Sequence, residues 1–396
     1  MRSSGWSWAA RGVPMADVRD TAVMRRPPPL DPVLLYTLLT LLAFGLVMVY
    51  SASAFVAVHE VGYSSYYLWH DAVNTAISII TLTVVIRIPT VVWRRISPYL
   101  LMGGLVALVL VLIPHLGVRV NGSARWLSLG VINIQPSEFL KLFLVLYLAG
   151  YLVRRQDRLS EFTHGILTVA TLLMVTGVLL LLEPDMGSEV ILWAVAFGML
   201  FVGGVRLSHF VAVVLSGAGA GVLLILASRY REDRVIGFLH PFARAKGDGY
   251  QLVQSLMAFG RGGWLGRGLG LSIQKLYYLP ASHTDFLFAI IAEEFGLVGV
   301  LFVIGLFAVL VVRAFQIAEA ARQDGDLYSS YVAQGVAILI GLEAIINMGV
   351  DMGVLPTKGL ALPLLSYGGS STLMSCTALG LLLRIDRERK AQGASR

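Results

Sequence analysis

Gln274–Gly299 reads QKLYYLPASHTDFLFAIIAEEFGLVG. A polar loop carrying His283 and Asp285 runs straight into a strongly apolar segment that holds Glu293 and Glu294. Carboxylates at membrane depth are costly and normally face a partner or a polar cavity. The stretch therefore asks for both a membrane and a site at its edge. Asp285 falls where a helix should begin, and there the free N–H groups and the helix dipole favour an ionised acid. Two readings fit it, a helix cap formed by Thr284 or Asp285 and an acid reserved for chemistry.

The remainder of the chain supplies the membrane. With 57% hydrophobic and 14% charged residues and a mean hydropathy of +0.76, its apolar surface exceeds what one soluble core can bury. Ten runs approach the roughly 20 apolar residues that cross a bilayer: 33–54, 69–86, 97–116, 136–153, 163–182, 187–203, 208–228, 284–313, 328–350 and 362–384. These predict an all-α polytopic membrane protein of ten transmembrane helices, with a large extracytoplasmic loop, about 229–283, between helices 7 and 8. Arg2, Arg11, Arg19, Arg25 and Arg26, together with Arg87, Arg94, Arg154 and Arg384, place both termini in the cytoplasm. Residues 1–30 read as a flexible cytoplasmic tail, without the apolar block of a signal peptide. Residues 31–388 read as the membrane domain, and 389–396 as a cytoplasmic C-terminal tail. Tyr66, Tyr67 and Trp69 suit the headgroup belt. Cys376 is the sole cysteine, which excludes an internal disulfide or a cysteine-based metal centre. The loop from Arg229 to His283 is basic, as suits anionic lipid headgroups or a surface for phosphate or pyrophosphate. Nothing in the chain points to nucleic acid.

Four further stretches carry polar groups to the same outer side. In NGSARWLSLGVINIQPSEFLKL (121–142), Glu138 and Lys141 lie three apart and share a helix face, preceded by Arg125 in a polar outer loop. They form either a local anchoring pair or the lining of an outer cavity. In Leu182–Gly187, LEPDMG, Pro184 and Gly187 make a turn, whose Glu183 and Asp185 are either solvated or joined to that network. The glycines of GRGGWLGRGLG (260–270) lack the GK[ST] of a phosphate loop; they read instead as re-entrant backbone packed closely against helices. In LPTKGLALPLLSYGGSS (355–371) a broken helix re-enters the membrane. Ser366, Ser370 and Ser371 are placed to satisfy freed backbone groups, and Lys358 to contact substrate.

Together, NGSARWLSLG, QPSEFLKL, EPDMG, GGWLGRGLG, LPASHTDFLFAIIAEE, LPLLSYGGSS and LLLRID resemble the SEDS family of bacterial polytopic proteins over about residues 31–388. QKLYYLPASHTDF and LPTKGLALPLLSYGGSS are more similar to its cell-division branch than to its elongation branch, with the sporulation branch third. The resemblance implies a peptidoglycan glycosyltransferase polymerising lipid II on the outer face of the bacterial inner membrane, at the division septum. It implies Asp285 as the required acid, Glu138 and Lys141 facing a central cavity, and Arg125 as an outer-loop arginine. EPDMG departs from the commoner QPDLG. The implied partners are lipid II, the growing lipid-linked glycan, a class B penicillin-binding protein, other divisome membrane proteins and membrane lipids.

The chemistry of such a reaction needs a base for the acceptor sugar hydroxyl and positive charge for the departing pyrophosphate. Asp285 suits the first role, and Lys141, Arg125 and Lys275 the second, with His283, Asp185 and Lys358 completing the substrate surface. No cofactor is demanded; a divalent cation, Mg or Mn, bridging Asp285 and pyrophosphate is compatible. Two alternatives are a lipid II flippase, for which Glu343 and Asn347 form the deeper polar pair, and a noncatalytic divisome scaffold.

Overall fold

In this computed structural model, residues 28–393 are described, apart from 121–122, 129–132, 160, 228, 248 and 358. The apolar runs fold as helices α1 (Pro32–Val61), α2 (Tyr66–Val85), α3 (Thr90–Leu112), α4 (Pro136–Arg154), α5 (Thr168–Leu182), α6 (Met186–Val202), α7 (Leu207–Leu226), α10 (Leu287–Gln323), α11 (Leu327–Asp351) and α12 (Gly369–Gly393), and the stretch read as one loop, 229–283, holds two more, α8 (Arg229–Leu239) and α9 (Tyr250–Gly262). Their ends obey local chemistry. At α1, the Asp31 carboxylate accepts the Leu34 N–H at 2.9 Å, proline occupies the first position, and Gly62 closes the helix at φ 90°, the left-handed conformation that glycine adopts without penalty.

Among the described residues seven helices are long and apolar enough to cross a membrane: α1 to α4, α5 with the turn before it, α10 and α11. α6 and α7 are shorter apolar helices, and α12 exchanges its apolar half for a charged end from Arg384 onward. The segment read as a short C-terminal tail continues α12 as far as Gly393, where Lys390 and Arg389 pair with Asp386 of the previous turn.

The chain is mostly helical rather than wholly so. β1 (Gly117–Val120), β2 (Ser123–Ser128) and β3 (Asn133–Ile134) form a small antiparallel sheet in that order, with Val118 opposite Trp126 and Leu127 opposite Ile134. Between α3 and α4 the backbone leaves helical geometry, and cross-strand pairing meets its hydrogen-bonding needs. Arg125, expected in a loop, therefore lies on β2.

α10 is broken. Gly296 sits at φ 65°, ψ −158° inside it, so carbonyls of the upper segment and N–H groups of the lower one lose their helical partners. The glycine loop after α9 supplies replacements. Arg267 N donates to Glu293 O at 3.0 Å and Gly268 N to Glu294 O at 2.9 Å, while Leu297 N and Val298 N donate to Gly263 O and Trp264 O. Approach this close requires glycine: a Cβ on Gly266 would stand 2.1 Å from Glu294 O, and one on Gly262 1.9 Å from Ala292 O. The two acids just above the break are buried and partnered. Glu293 accepts from Ser272 Oγ at 2.5 Å and from the N–H of Ile273 and Gln274. Glu294 accepts from Ser51 Oγ at 2.7 Å and from Lys275 Nζ at 2.8 Å. These bonds clamp the loop before α10 onto α10 itself.

α11 packs between α10, α4 and α6, and the chain after it folds back on it, Val354 N and Leu355 N donating to Gly349 O and Leu360 O accepting from Asn347. Within 355–368, Ser366 Oγ accepts the Leu362 N–H at 3.0 Å, and Gly45 of α1 lies so close that a Cβ would be 2.9 Å from the carbonyls of Leu364 and Leu365. Small residues at such crossings let backbones approach in a membrane.

Candidate active site

The HTDF loop is a tight turn in which Ala281 O accepts the N–H groups of Thr284, Asp285 and Phe286 at 3.1–3.2 Å. α10 begins one residue after Phe286, and no side chain of that turn caps it. The cap comes from another helix: Asp351, the last residue of α11, accepts the Ala289 N–H through Oδ2 at 3.1 Å. This corrects the capping reading of Thr284 and Asp285. Thr284 Oγ1 donates back to Ala281 O instead, and the Asp285 carboxylate has no hydrogen bond among the described residues. Burial pushes its pKa up to about 6, against the pull of the Arg125 charge. A carboxyl so placed is half-ionised near pH 6 and mostly ionised at neutrality, as suits a general base.

Two segments close around that carboxylate. Gly359 lies against it so tightly that a Cβ there would meet Asp285 Oδ2 at 2.9 Å. Asn347 of α11 donates one amide proton to Asp285 O at 2.9 Å and another to Leu360 O at 2.5 Å. Leu360 in turn fills the space beside Gly187, whose Cβ would stand 2.9 Å from Leu360 Cδ2. The LPTKGL segment thus joins the HTDF loop to the EPDMG turn.

At that turn, Asp185 caps α6 by accepting from Ser188 N and Oγ and also accepts from Ser137 Oγ of α4 at 3.1 Å. Asp185 is therefore a structural tie between α4 and α6. Arg125 crosses from the sheet and donates to the carbonyls of Glu183 at 3.4 Å and Pro184 at 2.5 Å. Glu183 is buried, and both its carboxyl oxygens lack a hydrogen-bond partner among the described residues. Desolvation, reinforced by Asp185 and opposed by Arg125, raises its pKa to about 8.

Lys141 lies deeper on α4 and is buried. Its ammonium donates to Glu138 at 2.9 Å and to Glu343 of α11, beside a small cavity lined also by Leu339, Met374 and Ser375. Glu343 and Asn347, the pair that suggested a transport path, are thus engaged with Lys141 and with backbone carbonyls. α11 links the two polar centres, because Glu343, Asn347 and Asp351 recur every four residues and share one face.

The other expected residues divide. His283 packs its ring between Tyr67 and Tyr367, at 4.7 and 5.8 Å, and burial lowers its pKa; Tyr367 N bonds its carbonyl. Lys275 is buried on Glu294 and Ser51. Lys358 lies outside the described residues. Asp351 went unassigned in the sequence, and Glu183, read as either solvated or joined to the network, is buried without a hydrogen-bond partner among the described residues. The four-residue spacing on α11 is the one signal that reaches Asp351.

A mostly helical protein with seven described helices long and apolar enough to cross a membrane, and with an unpaired acid before α10 walled by Gly359 and Leu360, is the class these features define. The family follows from comparison: the chain belongs to the FtsW/RodA/SpoVE family of cell cycle proteins, whose model matches residues 32–391. It is 48% identical over 369 residues, 93% of this chain and 95% of the relative, to the probable peptidoglycan glycosyltransferase FtsW of Nitrosococcus halophilus. The protein of that name from Coxiella burnetii is 47% identical over 350 residues, covering 88% and 94%. Among solved structures, a chain from a study of how a peptidoglycan synthase complex coordinates polymerization and crosslinking matches with a TM-score of 0.75 and 28% identity, over 91% of this chain and 98% of that one. The rod shape determining protein RodA of Thermus thermophilus matches with a TM-score of 0.65 and 26% identity, over 91% and 97%.

Proposed function

We propose that this protein is a peptidoglycan glycosyltransferase of the FtsW type, which polymerises lipid II at the outer face of the inner membrane during septal wall synthesis, with Asp285 as general base. The observation that carries the base assignment is the division of labour at α10: Asp351 caps the helix, and the Asp285 carboxylate stays unpaired at a pKa of about 6. Ionised Asp285 takes the proton of the acceptor sugar hydroxyl, whose oxygen attacks the anomeric carbon of the lipid-linked chain. The bond to pyrophosphate breaks in the same displacement and the configuration inverts.

Positive charge must meet the leaving diphosphate. Lys141 and Lys275 already hold carboxylates, whereas Arg125 donates to neutral carbonyls and keeps its charge for that purpose. Arg125 is therefore the first diphosphate contact, and Lys141 with Glu138 and Glu343 sets the field beneath it. Among the described residues no three His, Cys, Asp or Glu side chains group as for a metal, so a divalent ion would rest on Asp285 and substrate oxygens.

Ten membrane crossings with both termini in the cytoplasm put this site outside. The partner is a class B penicillin-binding protein, a pairing supported by the similar chain of the synthase complex, with other divisome proteins around it. Purified with that partner and given labelled lipid II, the protein should form glycan at a rate that rises with pH through about 6, and Asp285→Asn should abolish polymer without loss of folded protein. Normal polymerisation by that variant would exclude Asp285 as the base.

A further inference from the structure

Asn347 is 2% exposed and lies one helical turn from each of two buried acids on α11. Its side-chain amide spends both N–H protons on main chain that is remote in sequence, Asp285 O at 2.9 Å and Leu360 O at 2.5 Å. Those two carbonyls belong to opposite sides of the same narrow space. The Asp285 peptide carries the carboxylate, and the Gly359–Leu360 segment is the wall against which that carboxylate rests. One planar amide with two fixed donors therefore sets the separation between the acid and its wall. Asn347 also leaves its own Oδ1 buried without a partner, a loss that an apolar side chain of the same size would avoid. The stretch around it is otherwise rich in apolar residues, with buried Ala344, Met348 and Val350.

We infer that Asn347 is the positioning residue for Asp285, acting through the HTDF backbone and the LPTKGL segment without contacting substrate itself. The inference rests on the glycosyltransferase reading and extends it. Asp351 fixes the same unit from below, holding the first turn of α10 through Ala289 N while its own carbonyl accepts from Ser255 Oγ of α9 at 2.7 Å. The position of Asp285 is thus set from α11 at two points, and Asn347 is the one bonded to the Asp285 peptide itself. Small errors in that position act on the chemical step, because a base works only within hydrogen-bond reach of its proton.

The test compares Asn347→Leu and Asn347→Asp with the unchanged protein and with Asp285→Asn, each purified with the partner transpeptidase and assayed with labelled lipid II. Leu removes both donors at similar volume. Asp keeps the shape but puts an acceptor oxygen in place of the one nitrogen that donates to both carbonyls. Both variants should lose at least about tenfold in kcat, keep KM within about twofold, and melt within a few degrees of the unchanged protein. Normal kcat in Asn347→Leu overturns the inference. So does a fall in kcat that simply tracks lost thermal stability or a raised KM, since that marks a general structural role. Failure of the underlying reading is recognised separately, as normal polymerisation by Asp285→Asn.

Discussion

Glu183 shows how a single residue can set the pH response of the turn between α5 and α6. Its folded-state pKa is raised from the ordinary 4.5 to about 8 by burial, so between those values the folded chain holds a proton that the unfolded chain has released. Stability must therefore fall as pH rises across that window. Glu183→Gln, which has no proton to lose, should melt above the unchanged protein at pH 8 and converge with it near pH 4.5 in thermal scans. Parallel scans would show that the carboxyl is solvated. At Asp285, burial and Arg125 oppose each other and leave a base that ionises just below neutrality. The residue types at this lip were legible in the sequence, since an acid in HTDF at the start of an apolar run has few bland explanations. Its freedom from capping was not, because the capping group, Asp351, is 62 positions from the Ala289 N–H it accepts.

At the scale of elements, the same contrast separates what a local pattern reveals from what packing decides. Glu138 and Lys141 declared a shared helix face by spacing, and the structure joins them at 2.9 Å. Glu343, which completes that group, is 202 residues from Lys141, and no periodicity reports such a partner. The glycine loop was readable as close-packed backbone because the phosphate-loop alternative lacked its lysine. That it mends a break in α10 depends on Gly296, which nothing in the sequence distinguishes from Gly299 and Gly305 of the same apolar run. The mend should be intolerant of a single methyl group. Gly266→Ala places a Cβ 2.1 Å from Glu294 O at φ +79° and should cost about 1–3 kcal/mol or more, seen as a lowered melting temperature in detergent. Gly260→Ala, with no atom within 4 Å of its Cβ, should melt normally. Equal melting of the two variants would mean that the loop is not seated on α10.

For the whole molecule, hydropathy located the apolar helices because each must bury an apolar surface, while it passed over α8, α9 and the sheet between α3 and α4 as more polar stretches with no such constraint. Orientation is open to direct measurement. Cys376 is the sole cysteine and is buried, so one introduced thiol can be read without background. His240→Cys, at an exposed position just after α8, should react with a membrane-impermeant maleimide in intact spheroplasts if the proposed topology holds. Asp157→Cys, between α4 and α5, should react only after permeabilisation; the reverse pattern would invert the topology.

The clamp on Glu293 and Glu294 has a consequence for how the chain is made. Among the described residues every partner of the two carboxylates lies upstream of them: Ser51 on α1, Arg261 at the end of α9, and Ser272, Ile273, Gln274 and Lys275 before α10. A ribosome delivers those groups first, so when the two carboxylates leave the tunnel their counter-charges are already at the membrane. An acid entering lipid alone would cost roughly 2.5–3.5 kcal/mol on the insertion scale. The order of the sequence lets α10 insert against a prepared template, with biosynthesis and the final charge pairing running in the same direction.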